Sequence, residues 1–265
     1  MARSKALPLL FFLGLLSFSF SPAIATIKFN FFYLTLMWPG TYCNGIPFNK
    51  CCRPTAGTPA PDFFVQALKP YNITTGETVT ECAIECCFSL KLVKKLIDDL
   101  NHYWSDVSCP SNNGHRLWED VWCTYGTCSN LTESVYFQRA LALRAQVNLL
   151  SIFKRNGIVP SSTKYYSLKG IQKALKGIPG SSTVVECNRQ WLFFGDYYLY
   201  KIHICISSDA KSIISCPIKK STINCGSEVK FLPFDPRELP VSTGAHNMPA
   251  ANPIKMPAAA IDMDM

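Results

Sequence analysis

The sequence predicts an α+β domain, because an aromatic, β-rich run near the N-terminus precedes two long segments with helical spacing and a later alternating segment. Lys28 to Trp38 carries Phe29, Phe31, Tyr33 and Leu34, which suits a buried strand ending at Pro39-Gly40. Phe88 to Trp104 places Phe88, Leu92, Val93, Leu96, Ile97 and Leu100 on one helical face, with Lys94, Lys95, Asp98 and Asp99 opposite. A second long helix is predicted from about Glu133 to Asn156, through Phe137, Leu141, Val147, Leu150 and Phe153, with Gly157 placed to end it. A shorter helix follows Ser167, using Leu168, Ile171 and Leu175. From Thr183 to Ile206 the pattern is β, first Val184-Val185 and then Tyr198, Tyr200, Ile202 and Ile204 in alternation.

With 265 residues and 48% hydrophobic content, the chain can bury one sizeable core, which argues against a disordered or fibrous protein. Residues 1–25 read as a signal peptide: Arg3 and Lys5 precede an apolar run from Leu7 to Phe20, and Ala23-Ile24-Ala25 offers a cleavage site. No later stretch approaches the roughly 20 apolar residues that span a bilayer, so no membrane association is expected after cleavage. Residues 26–235 form the expected domain. Residues 236–265 read as a disordered tail or propeptide, since prolines there sit among alanines and polar residues without apolar periodicity.

Thirteen cysteines, all beyond the signal, argue for an oxidised framework made in the secretory pathway. Asn72-Ile73-Thr74 and Asn130-Leu131-Thr132 are glycan acceptor sequences for that compartment. The net charge of +8 falls to about +6 without Arg3 and Lys5. That modest excess favours polyanions, although a solvated lysine surface explains it as well.

The landmarks Leu36-Met37-Trp38-Pro39-Gly40-Thr41-Tyr42-Cys43, Cys51-Cys52 with Pro54-Thr55, Asp62 to Pro70, and Trp118 to Cys128 occur in order. They are followed by Tyr166-Ser167-Leu168, Val185-Glu186-Cys187-Asn188, Leu199 to Cys205 and Cys216-Pro217-Ile218. This ordered set resembles plant members of the ribonuclease T2 family, over roughly Lys28 to Phe234. The resemblance implies a central antiparallel sheet flanked by helices and stapled by disulfides. It also implies the pairs Cys43 with Cys51, Cys52 with Cys109, Cys82 with Cys128, Cys187 with Cys225 and Cys205 with Cys216. Cys86, Cys87 and Cys123 remain: Cys123 bonded to either neighbour leaves one thiol, available for a disulfide-linked homo-oligomer, with non-covalent association as the other route.

Relatives of this type cleave single-stranded RNA through a 2′,3′-cyclic phosphate. The chemistry needs a base for the 2′-hydroxyl, an acid for the leaving 5′-oxygen and a cation for the phosphorane. Carried over by position, the first family histidine falls on Gln66 and a tryptophan on Lys69. In the second motif the leading histidine falls on Asp120, the glutamates on Val121 and Cys123, the lysine on Thr124 and the last histidine on Tyr125; Trp122, Gly126, Thr127 and Cys128 match. A glutamine amide does not titrate usefully, and a phenol of ordinary pKa near 10 is a poor base at neutral pH.

These replacements imply that the chain is not an enzyme but an inactive homologue, and the resemblance, to a family with inactive storage relatives, implies a storage glycoprotein that is vacuolar or secreted. A defence or regulatory protein that binds RNA weakly, or another ligand, along the former groove through Trp38, Lys69, Trp122 and Tyr125 is the alternative, and residual cleavage of single-stranded RNA is the second. Among the histidines, His102 lies on the polar side of its helix, His203 in a strand where the family often has an aromatic residue, His246 in the tail and His115 in a loop near the cleft. Neither these nor the Glu119 and Asp120 carboxylates offer a matched acid and base. No cofactor or metal is expected. Asn252-Pro253-Ile254-Lys255-Met256-Pro257 resembles an Asn-Pro-Ile-Arg-type vacuolar signal.

Overall fold

The computed structural model describes residues 27–44, 50–178, 180, 182–189 and 195–242. The predicted signal peptide, the tail histidine His246 and the vacuolar-type segment lie outside them. No described helix is long and apolar enough to cross a membrane.

Among the described residues, eight strands form one sheet: β1 (Phe31–Met37), β2 (Phe64–Asn72), β3 (Glu77–Thr78), β4 (Ser161–Ser167), β5 (Thr183–Arg189), β6 (Tyr197–Ile206), β7 (Thr222–Ile223) and β8 (Glu228–Phe231). Their order is β3-β2-β1-β6-β5-β7, with β8 joined to β6 and to β4. Strand β1 is central and buried on both faces from Phe31 to Leu36, so its sequence is an apolar run interrupted only by Thr35 rather than an alternation. The sheet is mixed, not antiparallel as expected, because β7 runs parallel to β5 and β8 parallel to β6. Between β5 and β7 the chain passes through β6 and the loop closed by Cys205–Cys216, enough length to return in the same direction.

The helices are α1 (Pro39–Cys43), α2 (Leu90–Val93), α3 (Ile97–Tyr103), α4 (His115–Thr124), α5 (Glu133–Ala145), α6 (Leu149–Arg155) and α7 (Leu168–Leu175). Both long predicted helices are broken. A 3-10 turn, Lys94–Leu96, separates α2 from α3; Val93 and Leu100 are fully buried, Phe88, Leu96 and Ile97 pack against the core only in part, and Leu92 is 58% exposed. Asn148 divides α5 from α6: its side chain accepts a hydrogen bond from Ser151 N at 2.9 Å and caps a new helix. Gly157, at φ +74°, ends α6 as expected, and Ile158 N donates to Phe153 O. Ser167 caps α7 through Gly170 N.

The main core gathers Trp38, Phe63, Trp104, Trp118, Tyr136, Phe137, Phe153 and Phe231 with the helix-facing side of the sheet. Six disulfides close the described chain: the five implied pairs and Cys86–Cys123, which leaves an exposed Cys87 thiol. Packing continues past residue 235, where a tail was expected. A 3-10 turn spans Pro236–Glu238, Leu239 is buried beside Phe64 and Val107, and Pro240 O accepts from Arg53 N.

Candidate functional site

Strands β1 and β2 pair in register from Phe31↔Tyr71 to Thr35↔Ala67, then resume at Leu36↔Val65, which leaves Gln66 as the extra residue of a bulge. A bulge bends a strand and re-aims a side chain, and such features recur beside active sites. Gln66 is half-buried there. Three residues on, Lys69 sits opposite Tyr33, which also faces Cys205 across β6; these three therefore project from one face of the sheet.

The same face carries Thr35, His203, Lys201 and Glu186, brought side by side by the β1–β6 and β5–β6 registers. Glu186 Oε1 accepts from Lys201 Nζ at 3.0 Å, and Oε2 lies 2.8 Å from His203 Nε2. Thr35 Oγ1 stands 3.0 Å from His203 Nδ1. A neutral imidazole protonated at Nε2 satisfies both contacts, and burial, opposed by Glu186, holds the His203 pKa below its usual value. Burial acts to raise Glu186, but the hydrogen bond from His203 and the charge of Lys201 outweigh it and hold the carboxyl at about 2.

Lys69 joins this cluster to the helical wall. Its Nζ lies 5.3 Å from the centre of the Tyr125 ring, at the C-terminal end of α4. Burial, reinforced by the like charge of Lys201 and only partly offset by Glu186, lowers its pKa to about 8. The result is an amine that titrates near neutrality, chemistry available to a buried lysine and not to an arginine. Tyr125 is almost fully buried, and burial pushes its phenol up, so it keeps its proton.

The end of α4 is fixed to the loop before α2 by Cys86–Cys123, by Cys82–Cys128 and by Glu81 N donating to Thr124 O at 2.9 Å. Gly126 is required where the chain leaves the helix, because an added Cβ would collide with the Trp122 ring. Trp122 is half-buried, 5.8 Å from Tyr136.

Several expected site residues are elsewhere. Trp38 cannot stack on a base: it is 1% exposed, packs on Phe63 and Phe231, and its indole N–H donates to Leu232 O at 2.7 Å. Val121 is core. Asp120 is exposed on α4, with its pKa raised by burial against the opposing pull of Arg116. His115 begins α4 against Trp118, and His102 Nδ1 contacts Thr58 O at 2.8 Å. Sequence reasoning missed Thr35, Glu186 and Lys201. The alternation of Lys201 and His203 along one strand was visible, but their meeting with Glu186 depends on register.

A model of the Ribonuclease T2 family matches residues 29–216. Intracellular ribonuclease LX of Solanum lycopersicum is 34% identical over 211 residues, covering 80% of this chain and 87% of that protein. Ribonuclease 1 of Arabidopsis thaliana is 35% identical over 217 residues, covering 81% and 91% respectively. The crystal structure of RNase NT in complex with 5′-AMP superposes with a TM-score of 0.71 at 35% identity, covering 78% of this chain and all of that one.

These relatives overturn the expectation that the chain is not an enzyme, since they are named ribonucleases and RNase NT is solved with a nucleotide bound. That expectation rested on the residues standing at Gln66, Asp120, Val121, Cys123, Thr124 and Tyr125; beside Tyr125 lies the Lys69 amine, whose pKa burial lowers to about 8. By its matched length, its sheet and helices, and these likenesses, the chain belongs to the ribonuclease T2 family.

Proposed function

We propose that this protein binds single-stranded RNA between the bulged β1/β2 pair and the end of α4, and cleaves it with Lys69 as base and Tyr125 as acid. The observation that supports this reading is the Lys69 amine, held at about 8 and stacked on a phenol that stays protonated. In the neutral form, Nζ takes the proton of the 2′-hydroxyl while the 2′-oxygen bonds to phosphorus. The phosphorus–5′-oxygen bond breaks, and the Tyr125 phenol protonates the leaving oxygen. Lys69 then carries the extra proton beside the Tyr125 phenolate, and transfer between them restores both groups. Lys201, steered by Glu186, contributes positive charge to the anionic phosphate side of the site.

The test is incubation of oxidised protein with a single-stranded RNA and analysis of product ends. Products ending in 2′,3′-cyclic phosphate, lost in Tyr125→Phe, support the reading. Intact RNA, or unchanged turnover in that variant, refutes it.

We also propose passage through the secretory route with glycans at Asn72 and Asn130. Asn130 Nδ2 donates to Ile27 O at 3.0 Å, and one N–H remains for this after glycosylation. A mass shift removed by glycosidase, and absent after Asn72→Gln and Asn130→Gln, checks it.

A further inference from the structure

Away from the cleft, α7 and the start of β5 enclose an open cavity of about 490 Å³. Its walls are Lys169, Gln172, Lys173 and Leu175 from α7 and Lys176 at its C-cap, with the hydroxyl residues Ser182, Thr183 and Ser221. The three lysines recur at helical spacing, so they share one exposed face while Ile171 and Ala174 anchor the opposite face in the core. Lys219 and Lys220 immediately precede Ser221.

This concentration of charge is not compensated locally. Residues 161–185 contain four lysines and no acid, and residues 210–227 contain three lysines and no acid. Lys201, Lys211 and Lys230 each have a carboxylate within ion-pair distance, whereas Lys169, Lys173, Lys176, Lys219 and Lys220 have none among the described residues. A modest net charge is therefore gathered largely into one patch. The lining has no aromatic ring, so it has no platform for stacking bases, while ammonium and hydroxyl groups suit phosphate oxygens.

Position ties the patch to the cleft. Thr183 lines it, and Glu186, three residues along β5, belongs to the Lys69 cluster, a separation of about 10 Å at strand rise. Thr183 pairs with Ile204 and Glu186 with Lys201, so the two project from opposite faces around the edge formed by β5 and β7.

We infer that this lysine and hydroxyl cavity is an exosite for the phosphodiester backbone of the RNA strand whose other part lies in the cleft, engaged without regard to base sequence. This rests on the proposed action on RNA, and the test separates the two. Binding of a trinucleotide and of a strand of about twenty nucleotides is measured against salt for the natural protein, K169Q/K173Q/K176Q and the charge-matched control K91Q/K94Q/K95Q. Glutamine keeps helix propensity on an exposed face, so the fold is retained, as circular dichroism verifies.

The expected result is about tenfold weaker binding of the long strand by the α7 variant at low salt, with a log–log salt slope shallower by about 2. Trinucleotide binding and the control should be unchanged. Equal losses for both RNA lengths, equal losses in the control, or no loss at all overturns the exosite. Tighter competition by a sulfated polysaccharide than by RNA of equal charge also overturns it, in favour of a different polyanion. If Lys69→Met leaves cleavage unchanged while the α7 effect persists, the catalytic reading fails and the exosite stands.

Discussion

Replacing Lys69 with methionine is expected to make the protein more stable and less active, an outcome that separates a functional amine from a structural one. At a pKa of about 8, roughly a quarter of the amine is neutral at pH 7.5, against about one part in a thousand at the ordinary value of 10.5. That neutral fraction is held at a cost: the shift corresponds to roughly 3 kcal/mol at neutral pH, at about 1.4 kcal/mol per unit. The sign follows from proton counts. Between about pH 8 and 10.5 the unfolded chain binds more protons than the folded one, so stability climbs with pH across that window and is lowest below it.

Methionine removes the buried cation but also its contact with Tyr125, worth about 0.5–2 kcal/mol. The net expectation is a gain of about 1–2 kcal/mol at pH 7, seen as a rise of several degrees in Tm for a domain of this size. That gain should vanish at pH 10.5, while RNA turnover falls by about 10²- to 10⁴-fold. Thermal melts at the two pH values and a turnover assay measure all three. A variant less stable at pH 7, or one with turnover intact, would refute the reasoning.

The other expectations concern the groups around that lysine. Glu186→Gln breaks the contacts to Lys201 and His203 and should cost about 3–5 kcal/mol by denaturant unfolding at pH 7. In the natural protein the stabilisation from Glu186 is present above about pH 4.5 and lost as pH falls toward 2, so the difference between the two proteins should shrink by pH 2; an undiminished gap would contradict the pairing. Cys86→Ser with Cys123→Ser opens a link spanning 37 residues and should cost about 2–4 kcal/mol, without touching the other five bridges as mapped by peptide analysis. Gly126→Ala drives a methyl into the Trp122 ring and should cost about 1–3 kcal/mol with a shift in tryptophan fluorescence; neutrality would show that the ring moves freely.

What could be read in advance was what local pattern determines. Apolar periodicity located β1, α7 and the β5–β6 segment, and the glycine after α6 marked its end. The same periodicity ran across Asn148, because an asparagine that caps a new helix looks like a polar residue on the surface of a continuing one. The tail boundary was drawn too early, since Leu239 owes its burial to Phe64 and Val107, far from it in sequence. At the site, position-by-position comparison registered the missing imidazoles but gave no measure of burial, and burial is what turns Lys69 from an ordinary surface cation into an amine titrating near neutrality.

The most direct test of the account is the pH dependence of single-stranded RNA cleavage by the natural protein under single-turnover conditions. Cleavage that rises with pH and levels off near 8, with Lys69→Met flat and slow throughout, is the expected result. No cleavage at any pH, or a profile that survives loss of Lys69, would contradict it.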